Sequence, residues 1–306
     1  MGNSVLSQNP WTEVSYYSDG LKISGYLYTP RDWDSGNPDG PAIVTLAGYT
    51  GMKDIYGLDV PRRLHDEGYF VLAIDNRGFG KSEGERGRQR PLEQAQDTYD
   101  ALTYLETVSG VDPDRLGLYG TSAGGATAIW AAAFDERVKV VVTSVGVSDG
   151  ERTFRLARRP HEWAALQKEV SEAARRRVTT GEPTHCPVTH LMVTDPHTDS
   201  VFSQFDYKEH DLFVPDFDLE SAEAMWRFKP EWVAHQISPR ATLVIRAEDD
   251  MLVPVEESLE LYRALREPKK LVTLPKAQHY DSYFFVNPEI AEISMQATLD
   301  WYEEHL

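Results

Sequence analysis

The run Leu116-Gly117-Leu118-Tyr119-Gly120-Thr121-Ser122-Ala123-Gly124-Gly125 sets a serine inside Gly-x-Ser-x-Gly. A short apolar strand pattern precedes it, and the small, helix-forming run 126–133 follows. Nucleophilic chemistry needs that layout. A serine carried on a sharp strand-to-helix turn has a strained backbone, and its neighbours must be small where the chain folds back on itself. The helix that starts beneath it brings free N–H groups and the positive end of a dipole to developing negative charge. Ser122 is therefore the candidate nucleophile.

A serine hydroxyl is weak until a base takes its proton, and that base needs a third group to orient it. In a doubly wound sheet such groups gather at the carboxyl ends of strands. After the strand pattern at 241–245 comes Glu248-Asp249-Asp250-Met251-Leu252-Val253-Pro254, and after that at 271–274 comes Lys276-Ala277-Gln278-His279. The order serine, acid, histidine fits a strand–turn–helix nucleophile. His279 is the candidate base; the other late histidine, His305, lies in the last helical turn. The acid is Asp249 or Asp250, with Asp149 as a remote third choice.

With these residues in place the chain resembles an α/β-hydrolase, in particular the dienelactone hydrolase and acyl-peptidase-like branch. The likeness covers about residues 12–150 and 238–306. It implies an acid three residues before Val-Pro in a Gly-x-x-Asp-x-x-Val-Pro pattern; Ala247 replaces the glycine and Asp250 takes the acid position. It also implies an oxyanion hole made by the Ala123 N–H and by the loop after the strand at 42–46. Relatives carry His-Gly there, whereas this chain has Ala47-Gly48-Tyr49-Thr50-Gly51. Tyr49 then stands at the donor position, and its phenol is a further donor, as in cocaine-esterase-like relatives.

The elements that must hold these residues alternate. Asp19-Gly20 between strand patterns at 14–18 and 21–28 signals a hairpin. Apolar runs at 42–46, 69–74, 116–119, 138–143, 241–245 and 271–274 suit strands buried on both faces of a parallel sheet. Ala95, Tyr99 and Leu102 share a helical face, as do Ile290, Ile293, Ala297 and Trp301. The expected fold is α/β: a doubly wound, mostly parallel sheet covered by helices. Residues 1–150 and 236–306 form its core. Residues 151–235 break the alternation without a convincing strand and read as an inserted, mainly helical cap. The cap has helices near 162–178 and 219–228 and is rich in aromatics: Trp163, Trp226, Trp232, Phe202, Phe205, Tyr207 and Phe213.

Other motifs fail on spacing. Gly80-Lys81-Ser82 lacks the phosphate-loop glycine, since Asp75 stands there, and Gly78-Phe79-Gly80 meets its next glycine one residue late, at Gly84. A tight turn with Arg77 in structural hydrogen bonds is expected instead. His185, Cys186, His190 and His197 share no helix-turn spacing and are interrupted by Pro187 and Pro196, so no metal is expected. No cofactor is expected either.

Composition narrows the class. Of 306 residues 41% are hydrophobic, enough for a sizeable core. Acidic residues outnumber basic ones 49 to 31, a net charge of −18 that disfavours nucleic acid and anionic membranes as partners. One cysteine excludes an intrachain disulfide. The start shows no apolar signal core, Leu6 breaks a myristoylation pattern, and no apolar run is long enough to span a bilayer. A cytoplasmic location with a small-molecule substrate is expected, compatible with a homo-oligomer.

The expected activity is cleavage of a carboxylic ester or lactone by Ser122, His279 and Asp250 through an acyl-enzyme. Amide or carbon–carbon hydrolysis on the same machinery is the alternative, and a non-catalytic binding module is the reading from another class. The serine excludes an aspartyl nucleophile. Arginines crowd the first part of the cap: Arg152, Arg155, Arg158 and Arg159, then Arg175, Arg176 and Arg177. If 151–159 is helical, Arg152, Arg155 and Arg159 share a face. The simpler account pairs these arginines with acidic neighbours. The functional account has one of them facing the pocket to hold a substrate carboxylate or another acceptor, with the cap's tryptophans and phenylalanines lining the rest.

Overall fold

The computed structural model describes residues 9–31, 33–34, 36, 38–50, 52–54, 59–204 and 212–306. Leu6, Gly51, Phe205 and Tyr207 lie outside them. The chain opens with β1 (Trp11–Ser18) and β2 (Leu21–Tyr28), paired antiparallel. Asp19 and Gly20 between them both have positive φ, 48° and 82°, as a two-residue hairpin turn that follows the strand twist requires.

Next come β3 (Gly40–Leu46), α1 (Asp59–Asp66), β4 (Phe70–Ile74), α2 (Pro91–Leu105), β5 (Val111–Thr121), α3 (Ala123–Phe134) and β6 (Val138–Ser144). The inserted segment supplies α4 (Gly150–Leu156), α5 (Pro160–Thr180), β7 (His185–Pro187), α6 (Val188–Leu191), α7 (Pro196–Gln204), β8 (Asp216–Asp218) and α8 (Ser221–Trp226). The chain then returns to the sheet with β9 (Ala241–Ala247), α9 (Glu256–Ala264), β10 (Lys269–Leu274) and α10 (Pro288–His305).

The main sheet has eight strands in the order β1-β2-β4-β3-β5-β6-β9-β10. From β4 to β10 every pairing is parallel. Strand alternation splits the core in two. Val44, Leu72 and Leu118 face α2, α3 and α9, while Ile43, Val71 and Tyr119 face α1 and α10. The order reverses between β3 and β5, and ligands of such sheets sit beyond the strand ends at that point.

Two expectations need correction. On α10 the buried face is Ala291, Ser294, Met295, Thr298, Trp301 and Tyr302, whereas Ile293 is 44% exposed. Thr298 can be buried because its hydroxyl donates to the Ser294 carbonyl, 2.8 Å away on the same helix. The inserted segment also contains strand: β7 and β8 pair antiparallel, His185 with Asp218 and Cys186 with Phe217. Three residues per strand are too few to show a period. Around them Trp163, Leu166, Val170, Phe217 and Leu219 form a separate apolar cluster.

The segment leaves and rejoins the sheet at one place. The Gly150 N–H donates to the Phe228 carbonyl at 3.0 Å, and the Glu231 N–H to the Ser148 carbonyl at 3.2 Å. Among the described residues, no helix is long and apolar enough to cross a membrane.

Candidate active site

Ser122 joins the end of β5 to the start of α3 with φ 53° and ψ −123°. That backbone costs a non-glycine residue about 1–3 kcal/mol and persists only where the surroundings hold it. They do so tightly. The Ser122 N–H donates to the Ser144 carbonyl at the end of β6, 2.9 Å away. A Cβ on Gly120 would meet the Gly124 carbonyl oxygen at 2.3 Å, and one on Gly124 would meet the Leu46 and Ala47 carbonyl oxygens at 2.4 Å. Both glycines of Gly-x-Ser-x-Gly are thus required by close backbone approach. The turn lifts Ser122 into a cavity between the sheet and the inserted segment.

His279 begins a short 3-10 turn, 279–282, beyond β10, and Asp250 lies just past β9. These strands are neighbours in the sheet, which brings two residues 29 apart in sequence into contact. His279 Nδ1 lies 2.8 Å from Asp250 Oδ2. The other oxygen, Oδ1, accepts from the Leu252 and Val253 N–H groups at 3.0 and 2.8 Å. Both side chains are nearly fully buried. Asp249 is exposed. Asp149 is engaged elsewhere: it accepts from the Arg152 N–H at the start of α4 and pairs with Lys229.

The inserted segment rests on the histidine turn. Val201 and Phe202 of α7 pack with Leu252 and Tyr280, the Phe202 and Tyr280 rings meeting edge-on at 5.5 Å.

The loop after β3 also reaches the serine. A Cβ on Gly48 would lie 3.1 Å from Ser122 Cβ and 3.7 Å from its Oγ, so only glycine lets the two chains meet there unforced. Beyond it the loop is anchored to the end of β4: the Lys53 N–H donates to Asp75 Oδ1 at 2.9 Å, and the Lys53 ammonium pairs with the same buried carboxylate. The Tyr49 ring packs 4.9 Å from that of Phe217, and its hydroxyl is buried with no partner among the described residues. Burial pushes that phenol well above its ordinary range, so it is neutral and able to donate.

The cavity holds about 800 Å³ of empty space, counted with its open mouth. Its lining is mostly apolar and draws on the core and the inserted segment alike: Ala123, Ala126, Phe154, Met192, Phe228 and Leu252. The tryptophans expected there lie elsewhere. Trp163 and Trp226 pack against each other at 5.1 Å inside the inserted segment, and Trp232 is 67% exposed. Gln89, Gln94 and Thr153 also line the cavity. Nothing in their spacing marked them beforehand.

The arginines separate into kinds. The expected helix 151–159 stops at Leu156, because Pro160 opens the next helix and forces Arg159 into extended backbone at φ −69°, ψ 154°. Arg152 pairs with Glu231 and Glu257 at 2.7 and 2.6 Å. Burial disfavours its charge, but the two carboxylates more than offset that and hold it protonated. Arg155 and Arg159 are exposed. Arg158 alone of the four lines the cavity. Glu257 is fully buried, and its carboxylate also accepts from the Ser148 and Asp149 N–H groups. Its place four residues before the buried Leu261 of α9 is the one sequence sign of this.

The rejected motifs have other uses. Gly78 and Gly80 turn with positive φ while Arg77 binds the buried Asp97 and donates to Ser18. The Cys186 thiol is pushed up to about 12 by burial and by nearby acids such as Asp216, and His190 Nε2 meets Glu169 at 2.7 Å.

Strand order, the elbow and the histidine–carboxylate pair beyond β9 and β10 define an α/β-hydrolase. Residues 40–280 match the serine aminopeptidase S33 family, and the chain belongs to it. The thiohydrolase aneE of Aspergillus aculeatus is 30% identical over 289 residues, covering 89% of this chain and 87% of that one. The polyketide transferase grgF of Penicillium sp. is 25% identical over 308 residues, 99% of each chain. The crystal structure of the α/β-hydrolase GrgF from Penicillium sp. sh18 shares the fold with a TM-score of 0.81 at 22% identity, over 97% of this chain and 99% of that one. This protein is thus an enzyme of the α/β-hydrolase type, with a hydrolase or acyl-transferase role.

Proposed function

We propose that the protein cleaves a small-molecule carboxylic ester, lactone or thioester through an acyl-enzyme on Ser122. In this reading His279 Nε2 takes the proton of Ser122 Oγ as the oxygen attacks the carbonyl carbon. Asp250 holds the opposite ring nitrogen as N–H donor and steadies the imidazolium. The carbonyl oxygen, now negative, takes hydrogen bonds from the Ala123 and Tyr49 backbone N–H groups. As the bond to the leaving oxygen or sulfur breaks, His279 returns the proton to it. A water, deprotonated by the same histidine, then attacks the acyl carbon and frees Ser122. The inserted segment serves as the cap that selects the acyl group.

The observation that carries this reading is the His279–Asp250 contact at 2.8 Å, taken with a serine on a strained strand-to-helix turn that lines a mostly apolar cavity. Thioesters join the ester reading because of the thiohydrolase among the relatives. The transferase among them supports a second reading, in which an organic nucleophile replaces water in the last step.

A fluorophosphonate probe should label wild type and not Ser122→Ala. A panel of p-nitrophenyl esters, lactones, thioesters and anilides of graded acyl size should then be cleaved in inverse order of leaving-group difficulty. Absence of label on intact protein would sink the reading in favour of a binding module.

A further inference from the structure

Arg158 sits in the turn between α4 and α5 and lines the cavity that holds Ser122. One terminal nitrogen donates to the Phe154 carbonyl at 3.1 Å; the other donates to the His190 and Leu191 carbonyls at 3.0 and 2.7 Å. A guanidinium has five N–H donors, so two remain after these bonds. Among the described residues no carboxylate pairs with it. Carbonyl oxygens solvate a cation without neutralising it, and burial lowers the affinity of Arg158 for its proton. Arg152, six residues earlier, shows the alternative, being held by two carboxylates.

Polar groups left open gather on the same walls. The residues Tyr49, Thr153 and Gln89 line this cavity, and Tyr49 Oη, Thr153 Oγ1 and Gln89 Oε1 are each buried with no partner among the described residues. Gln89 is 3% exposed. Buried polar atoms without partners are rare in folded proteins, and here a polar group of a ligand in the cavity would supply one. A cation with free N–H donors beside a neutral hydroxyl is the chemistry that receives a carboxylate, which takes two donors at once.

Resting on the proposed attack by Ser122, we infer that the preferred substrate carries a carboxylate on its acyl chain, bound by Arg158 with the Tyr49 hydroxyl beside it. The scissile carbonyl lies at Ser122, the chain crosses the apolar wall, and the second acid group completes the arginine. The substrate class is the monoester or monothioester of a dicarboxylic acid. Closing the charge here also offsets the cost of burying Arg158 unpaired.

The test compares p-nitrophenyl hexanoate with the mono-p-nitrophenyl ester of adipic acid, its ω-carboxyl counterpart, and extends to longer and shorter pairs. The readout is the ratio of kcat/KM, acidic over neutral, at fixed ionic strength. Arg158→Met should lower that ratio at least tenfold for the best-fitting length, chiefly through KM. Arg158→Lys should recover part of it, and the exposed Arg155→Met should leave it unchanged. Arg158→Gln, which keeps donors for the neighbouring carbonyls, should lower the ratio like Met if the methionine variant folds poorly.

A ratio that Arg158→Met and Arg158→Gln move no more than Arg155→Met makes Arg158 a clamp on α6 and overturns the inference. So does an ω-hydroxyacyl ester preferred as strongly as the ω-carboxyl ester. Hydrolysis of the neutral ester by wild type, lost in Ser122→Ala, reports on the underlying reaction separately.

Discussion

Asp250 holds His279 with one carboxylate oxygen and its own loop with the other. Oδ2 lies 2.8 Å from Nδ1, while Oδ1 takes the N–H groups of Leu252 and Val253. The carboxylate is thereby fixed in rotation, and it dictates which ring nitrogen carries the proton.

Asp250→Asn should therefore lower kcat by about 10³–10⁴, since an amide can present its NH₂ to the ring and favour the wrong tautomer. Asp249→Asn, at an exposed side chain, should change kcat less than twofold. Steady-state rates of the two variants check this, and a crippled Asp249 variant would move the acid by one residue.

Ser122→Ala and His279→Ala should each lower kcat by roughly 10⁴–10⁶ with the fold retained, and the double variant should be little worse than either. Multiplying losses would show that the two do not act as a unit. Circular dichroism separates lost chemistry from lost structure.

Gly124→Ala should destabilise the protein by about 1–3 kcal/mol, the usual cost of forcing extra volume into a packed site. The new methyl would stand 2.4 Å from two backbone carbonyl oxygens, Leu46 and Ala47, which have no side-chain rotation to yield. The shift moves the loop that reaches Ser122, so kcat should fall as well. Urea unfolding and turnover measured together test both parts.

Cys186 should stay inert. Burial raises its thiol to about 12, so below pH 9 less than about one molecule in a thousand is thiolate, the reactive form. Iodoacetamide should leave the native protein unmodified at pH 8 and label it in urea. Cys186→Ala should keep its activity; rapid native labelling would contradict the burial.

The turn that carries the serine was legible because backbone geometry there leaves no choice of residue. Gly120 and Gly124 are required because a Cβ on either would stand under 2.5 Å from backbone carbonyl oxygens, and Asp19-Gly20 is required by two positive φ angles. Legibility fell where burial is decided by distant partners. Ser294 and Thr298 are polar by type yet buried on α10, so a face chosen by hydrophobicity rotated toward the exposed Ile293. The shared face of Arg152, Arg155 and Arg159 depends on a helix running to 159, and that helix stops at Leu156 while Pro160 opens the next one. Glu257 and Gln89 gain their roles only from neighbours more than a hundred residues away, Ser148 and Ser221.

The hydrogen-bonded crossing of the chain at Ser148–Gly150 and Phe228–Glu231 closes the inserted segment into a loop with a single narrow base on the sheet. Its two ends lie side by side, so a substitute of different length closes the same short gap, at an entropy cost that grows only with the logarithm of its length. Strand order, elbow and the Asp250–His279 pair belong to the body below that crossing. If the inserted segment selects the acyl group, as proposed, exchanging it between relatives should change acyl selectivity, provided the newcomer brings its own contact to the turn at Tyr280.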